Sequence, residues 1–160
     1  MSHAKIYQIG LKPIAEEDYA SPDTYVGNSS DFADYIGDAE TGDRRLELIK
    51  DFAGTIKDVF AYVGDGVFIY KGGAALADFK QQWLEAIRKA TAEMDTKNMT
   101  HEMRLYRLRC LTEETHLESD CRVDIDDSGC ASPIGDLFEW AEDLLIGDKI
   151  YVGAVIDYHF

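Results

Sequence analysis

Long apolar runs are missing from this sequence, and so is a secretory leader. No apolar stretch approaches the roughly 18 to 20 residues that a membrane-spanning helix needs. The opening segment MSHAKIYQIG lacks the basic flank and apolar stretch of a signal peptide. The sequence therefore predicts neither a membrane protein nor a secreted protein.

Cysteine is also scarce, since Cys110, Cys121 and Cys130 are the three in a chain of 160 residues. A small, odd number of thiols argues against a disulfide-built fold and is typical of reducing compartments. We therefore expect a cytoplasmic protein. With His116 the thiols offer enough ligands for zinc, but no Cys-x2-Cys pair is present, so apolar, buried cysteines are the preferred interpretation.

Positive charge is the third scarcity, with 16 basic residues against 31 acidic ones and a net charge of −15. The acids are concentrated in two blocks: residues 1–43 carry nine against two lysines, and residues 113–143 carry eleven against one arginine. A surface this negative repels nucleic-acid backbones and anionic membranes. We therefore expect direct binding to neither, and attraction to basic proteins.

An apolar content of 46%, with 11% aromatic residues, is ample for a hydrophobic core. The spacing of apolar residues predicts strands at 4–11, on both sides of Gly64–Gly66, at 102–112, at 121–126 and at 148–160, and helices at 43–55, 74–95 and from Ser132 to Gly147. This order predicts a single α+β domain over 1–160. We expect a mixed, largely antiparallel sheet of five to six strands with about three helices on one face.

Several local expectations follow from the same patterns. Residues 102–112 alternate, and we interpret them as a strand that forms a hairpin with 121–126. The alternative for 102–112 is a helix. Ser132 is expected to cap the last helix, with Pro133 at its first position. In 148–160 the alternating apolar residues from Ile150 to Phe160 are expected to share one buried face.

Residues 13–42 form the longest stretch without a clear pattern. We predict a long acidic loop there, with a short helix near 30–37. A loop of this length inside a compact domain is often functional.

The stretch CRVDIDDSG (121–129) contains the spaced oxygen ligands of a calcium loop. Asp124, Asp126 and Ser128 match the first ligand positions, but the twelfth position is Gly135, which has no carboxylate. We therefore interpret the stretch as a strand that enters an acidic turn. Asp124, Asp126 and Ser128 are the candidate ligands if a weaker metal site exists.

Asp157 and His159 share one face of the predicted closing strand, where a carboxylate can orient an imidazole as a general base. No nucleophile motif accompanies them, so a solvent-facing pair is the preferred interpretation. The glycines at 64–66 and 72–73 match no dinucleotide or phosphate fingerprint, so we expect no cofactor.

Two acidic blocks, nine tyrosines and a long loop favour a non-enzymatic module that binds a basic protein. An inhibitor of the nucleic-acid-mimic or immunity-protein type is one form of this function. The predicted binding residues are Glu16, Glu17, Asp18, Asp31, Asp34, Asp38, Glu113, Glu114, Glu118 and Asp120. The alternative is a small hydrolase that uses Asp157 with His159, or a divalent metal. The sequence leaves a homo-oligomer open.

Overall fold

Seven strands of the described residues form one mixed sheet. The computed structural model describes residues 3–26, 32–101, 103–114 and 121–160. The strands are β1 His3–Gly10, β2 Tyr35–Ala39, β3 Phe60–Gly64, β4 Val67–Tyr70, β5 Arg122–Ile125, β6 Ser132–Pro133 and β7 Lys149–His159. The α-helices are α1 Gly42–Ile56, α2 Gly73–Ala92, α3 Arg104–Glu114 and α4 Gly135–Trp140, and short 3-10 helices cover Glu16–Asp18, Pro22–Tyr25 and Ala141–Asp143. The predicted α+β class is confirmed, and the sheet has more strands than predicted.

The last strand, β7, occupies the middle of the sheet, whose order is β3-β4-β7-β1-β5-β6. β1 pairs with one edge of β7 over most of its length. The other edge pairs with β4 near Lys149 and with β2 near His159. The pairing of β1 with β5 is parallel, and the remaining pairings are antiparallel. A mixed, largely antiparallel sheet was predicted, and the structure has one.

Both faces of the sheet are covered. On one face α1, α2 and α4 bury their apolar sides against β1, β4 and β7, and this main core contains the stacked rings of Tyr7 and Phe52. On the other face a second core surrounds Tyr25 and Tyr158, and the N-terminal segment supplies part of its cover through Tyr19 and Ala20. The acidic loop predicted at 13–42 is therefore partly built into the fold.

A β-bulge in β7 separates its residues onto these two cores. Tyr7 pairs with Val155, whereas Ile9 pairs with Val152, so β7 has one extra residue between these positions. Val152 and Val155 therefore lie in the main core, while Ala154 lies in the second core. The prediction of one continuous apolar face in this strand is wrong, because a bulge reverses the alternation beyond it.

Arg45 of α1 fills the gap that β4 and β2 leave on the same edge of β7. Its Nε donates to the Gly153 carbonyl at 2.9 Å, and its Nη2 donates to the Val152 and Gly153 carbonyls, each at 2.7 Å. The guanidinium also lies over the Tyr19 ring, 4.9 Å from its centre. Arg45 thus satisfies backbone acceptors that have no strand partner there.

The predicted strand at 102–112 and its hairpin with 121–126 are both wrong. Arg104–Glu114 is the helix α3, which packs against α2. Leucines at 105, 108 and 111 recur every three residues, and arginine and leucine are good helix formers, so a helical pattern was present beside the alternating one. β5 pairs instead with β1 and β6.

The start of the last helix was also predicted wrongly. Ser132 and Pro133 form the short edge strand β6, and α4 begins at Gly135 with Ile134 before it. Proline is tolerated at the start or edge of a sheet, where no ladder donor is needed. A short helix was predicted near 30–37. Residues 30 and 31 lie outside the described residues, and from Tyr35 onward the chain forms strand β2.

The remaining element predictions are confirmed within a few residues, namely β1, α1, the β3–β4 hairpin, α2, β5 and β7. The hairpin turn has positive φ at Asp65 and Gly66, as tight turns between adjacent strands require. Among the described residues, no helix has both the length and the apolar character needed to cross a bilayer.

Candidate functional site

A cleft opens where the carboxyl ends of the parallel strands β1 and β5 meet. It has a volume of about 520 Å³ and is lined by residues 8–14 with Asp18, Asp126 and Asp127. The Asp126 amide donates to the Ile9 carbonyl at 2.9 Å, which fixes the turn after β5 against the end of β1. The carboxyl ends of parallel strands are a common place for ligand sites. We call this the strand-end cleft.

Asp124 fixes the acidic turn beside the cleft and is itself fully buried. Its Oδ1 accepts hydrogen bonds from the Ser128 hydroxyl at 2.8 Å and from the Gly129 amide at 3.2 Å. Its Oδ2 accepts one from the Tyr25 hydroxyl at 2.7 Å. Of the candidate metal ligands, Asp124 and Ser128 are therefore in contact, and Asp126 is exposed in the cleft. The donors that surround Asp124 give it a structural role.

Tyr25 connects the first acidic block to the second. Its ring is completely buried, and its hydroxyl reaches Asp124 across 99 residues of sequence. Burial, followed by the hydrogen bond to Asp124, raises the pKa of Tyr25 well above its ordinary value. The hydroxyl therefore stays protonated and remains a donor to the carboxylate.

Gln8 holds the first 3-10 helix beside the same cleft. Its side chain is buried, its Nε2 donates to the Asp18 carbonyl at 3.1 Å, and its Oε1 accepts from the Ala20 amide at 3.0 Å. The same oxygen accepts from the Ala154 amide at the bulge, also at 3.0 Å. Asp18 is thereby placed at the cleft by a side chain of the central sheet.

The strand-end cleft is strongly anionic. Asp18, Asp126 and Asp127 all have exposed side chains, and Lys12 is the one basic residue in the lining. None of the three acids forms an ion pair with any residue that the structure describes. Neighbouring like charges in a concave surface reinforce each other's field, so the cleft attracts cationic groups.

The anionic character continues on the other side of the first 3-10 helix. A second cavity of about 290 Å³ contains Glu16, Glu40 and Asp43 in its lining, and Glu40 is paired with Lys5. The basic residue there, Arg45, is engaged by the carbonyls of β7. Glu16 and Asp18 lie in one short helix, so this helix joins the two acidic cavities.

The predicted binding acids lie in several places. Glu16, Glu17 and Asp18 are exposed on the first 3-10 helix. Asp34 is exposed just before β2 and Asp38 is exposed within it, and α3 ends with Glu113 and Glu114. The other predicted acids, Asp31, Glu118 and Asp120, lie outside the described residues. β2 pairs near His159, so its acids lie at the opposite end of β1 from the strand-end cleft. The predicted binding residues did not include Asp126 and Asp127, which line the strand-end cleft, although their position directly after a strand was a usable signal.

The predicted pair Asp157 and His159 is brought together by the fold. Asp157 Oδ2 lies 3.3 Å from His159 Nε2 and 3.2 Å from His3 Nδ1, and the other carboxylate oxygen accepts a hydrogen bond from Lys5. Burial opposes ionisation of Asp157, but the hydrogen bonds and charges of Lys5 and His3 outweigh it and lower the pKa of the carboxyl below its ordinary value. Sequence patterns missed His3 and Lys5, because β1 and β7 are far apart in the chain.

No disulfide joins the three cysteines, and they differ in their surroundings. Cys130 is exposed, whereas Cys121 packs against the main core, and burial raises the pKa of its thiol to about 12. The cysteines join no metal-sized group of ligands in the described part of the chain, and His116 lies outside that part.

We expect Cys130 to be alkylated at pH 8 at least about 100-fold faster than Cys121, because a thiol reacts as its thiolate and burial suppresses that form. Timed alkylation followed by peptide mass spectrometry measures both rates. In denaturant the two rates should converge. Equal rates in the native protein would contradict the buried environment of Cys121.

No family model, curated protein or solved structure matched this chain in the comparisons. The function proposed below is therefore argued from the geometry and charge of the strand-end cleft.

Proposed function

We propose that this protein binds a basic partner protein through the strand-end cleft and the acidic 3-10 helix beside it. One observation carries the proposal. Asp18 from the first acidic block and Asp126 and Asp127 from the second line the same cleft, and none of the three forms an ion pair with a described residue. The two blocks are separated in sequence and adjacent in space at this point.

The lining of the cleft suits a lysine or arginine side chain of a protein partner. Leu11, Pro13 and Ile14 supply apolar wall beside the carboxylates. Long basic side chains bury their methylene stems on apolar surface and place their charged ends against acids. Arginine can also bind a carboxylate with two parallel hydrogen bonds. A protruding basic residue is therefore the occupant that we infer.

We propose further that binding inhibits the basic partner. A negatively charged surface that covers the basic groove of a nuclease, a toxin or a regulator blocks the access of nucleic acid to that groove. Electrostatic attraction speeds the encounter of such partners and makes the association sensitive to salt. A cytoplasmic location, where basic nucleic-acid-binding proteins are abundant, belongs to the same proposal.

Capture from the native lysate at several salt concentrations tests this function. The immobilised full chain should retain a protein of basic isoelectric point and release it as salt rises. The triple variant Asp18→Asn, Asp126→Asn, Asp127→Asn should bind that protein at least about tenfold more weakly, because three charges that meet it are removed. Asparagine tolerates the positive φ of Asp126 and Asp127, so the turn is preserved.

The matched control removes the same charge elsewhere. Asp51 in α1, Asp58 in the turn after α1 and Asp78 in α2 have exposed side chains and do not line the cleft. Their triple asparagine variant should bind the partner within about twofold of the unmodified protein. Equal weakening by both triple variants would show that net charge, and not the cleft, drives association. Unchanged binding by the cleft variant would overturn the proposal.

A further inference from the structure

His3, Asp157 and His159 bring three potential metal ligands together at the far end of β1 from the strand-end cleft. Their ligand atoms all lie within 4.8 Å of one another. His3 pairs with His159 across the strands, and Lys5 pairs with Asp157, so these four side chains share one face of two adjacent strands. Rigid paired strands hold ligands more precisely than loops do.

The distances fit a tetrahedral metal ion. Asp157 Oδ2 lies 3.2 Å from His3 Nδ1 and 3.3 Å from His159 Nε2. Ligand atoms bound to Zn²⁺ at about 2.0 to 2.1 Å in a tetrahedron are separated by about 3.3 to 3.4 Å. A metal ion can therefore take the place of the His3–Asp157 hydrogen bond and of the His159–Asp157 contact with little change in these two distances.

The donor set selects a class of metal. Two imidazoles and one carboxylate suit Zn²⁺ and neighbouring transition metals, whereas Ca²⁺ and Mg²⁺ prefer oxygen ligands throughout. Three protein ligands leave at least one position for water, which is typical of sites that are not fully enclosed. His3 is 56% exposed at its side chain, so solvent reaches the site from that side.

The surroundings orient the carboxylate and keep the site negative. Lys5 donates to the Oδ1 of Asp157 and lies 3.3 Å from Glu40, so Oδ2 is the oxygen turned to the two imidazoles. Such outer partners fix the orientation of a ligating group. The two carboxylates of Asp157 and Glu40 carry more negative charge than the one positive charge of Lys5 balances, so the site attracts a cation.

His159 turns one ring nitrogen toward the cluster. Its side chain is 17% exposed, and its Nδ1 is buried with no hydrogen-bond partner among the described residues. Its Nε2 faces Asp157 and is therefore the ring atom that can bind the ion.

We propose that His3, Asp157 and His159 bind one divalent transition-metal ion, with Zn²⁺ as the best match. The site is separate from the strand-end cleft and does not depend on the function proposed for it. The bound ion would join β1 to β7 at the end of the pair where His3 lies opposite His159.

A titration of the full chain without an affinity tag tests the site, because a polyhistidine tag would itself bind metal. The protein is stripped with a chelator, kept reduced and titrated with Zn²⁺ in competition with a chromophoric chelator. One equivalent should bind. His3→Ala should weaken binding at least about tenfold, since it removes a direct ligand at an exposed position where the fold does not depend on it.

Two controls separate this site from adventitious binding. His101→Ala removes an exposed histidine outside the cluster, and Cys130→Ser removes the exposed thiol. Both variants should bind Zn²⁺ as the unmodified protein does. Co²⁺ should give the intense visible absorption of a tetrahedral site in the unmodified protein and lose it in His3→Ala. The proposal is overturned if the unmodified protein binds no equivalent of Zn²⁺, or if His3→Ala binds it equally well.

Discussion

Replacing Asp124 with alanine is expected to lower the free energy of unfolding by about 3 kcal/mol, because buried donors lose their shared acceptor. Asp124 is fully buried and accepts hydrogen bonds from Tyr25, Ser128 and the Gly129 amide. The hydroxyl of Tyr25 would remain in the core without a partner. Urea denaturation followed by circular dichroism measures the loss.

Two further variants establish the cause. Asp124→Asn keeps the shape and one acceptor oxygen, so a loss of about half that size is expected, because its amide group faces donors. Asp78→Ala, at an exposed position of α2, should change stability by less than about 0.5 kcal/mol. An Asp124→Ala protein as stable as the Asp78→Ala protein would show that these hydrogen bonds do not stabilise the fold.

Gly153→Ala is expected to cost about 2 to 3 kcal/mol, because the added methyl group overpacks the bulge. A Cβ at this position would lie 2.5 Å from Gln8 Oε1 and 3.0 Å from Ile14 Cδ1. Gln8 cannot withdraw without losing its bonds to Asp18, Ala20 and the bulge itself. Thermal and urea unfolding of the variant measure the cost.

A double-mutant cycle identifies the obstacle. In a Gln8→Ala background, Gly153→Ala should cost less than about 1 kcal/mol, because the closest obstacle is removed and the remaining one, Ile14 Cδ1, is the far end of a flexible side chain. Gly54→Ala is the matched control, since a Cβ there meets nothing within 4 Å in α1, and it should stabilise by about 0.5 to 1 kcal/mol. If Gly153→Ala costs the same with and without Gln8, the collision is with another group.

Local patterns predicted most helices and strands because each depends on residues close in sequence. The helical spacing in α1 and α2 and the glycines of the β3–β4 hairpin are signals of this kind. Residues 102–112 were predicted wrongly because charged and apolar residues alternate from Arg107 to Cys110, while the leucines recur every three residues. The sequence alone does not decide between the two periods, and packing against α2 does.

The candidate sites depended on contacts that no local pattern contains. The acidic turn after β5 was predicted, and Asp126 and Asp127 do adopt positive φ there. Their position beside Asp18 follows from the parallel pairing of β1 with β5 and from the Tyr25–Asp124 hydrogen bond. The meeting of His3 with Asp157 likewise follows from strand pairing.

The central position of β7 has a consequence for folding order during synthesis. β1, β2 and β4 emerge from the ribosome before the strand with which all three pair. Until Lys149–His159 is translated, these strands have open edges that can pair with other chains. Pairing across such a long stretch of sequence is intrinsically slow. A chaperone that shields strand edges would therefore raise the yield of folded protein most in the interval just before β7 appears.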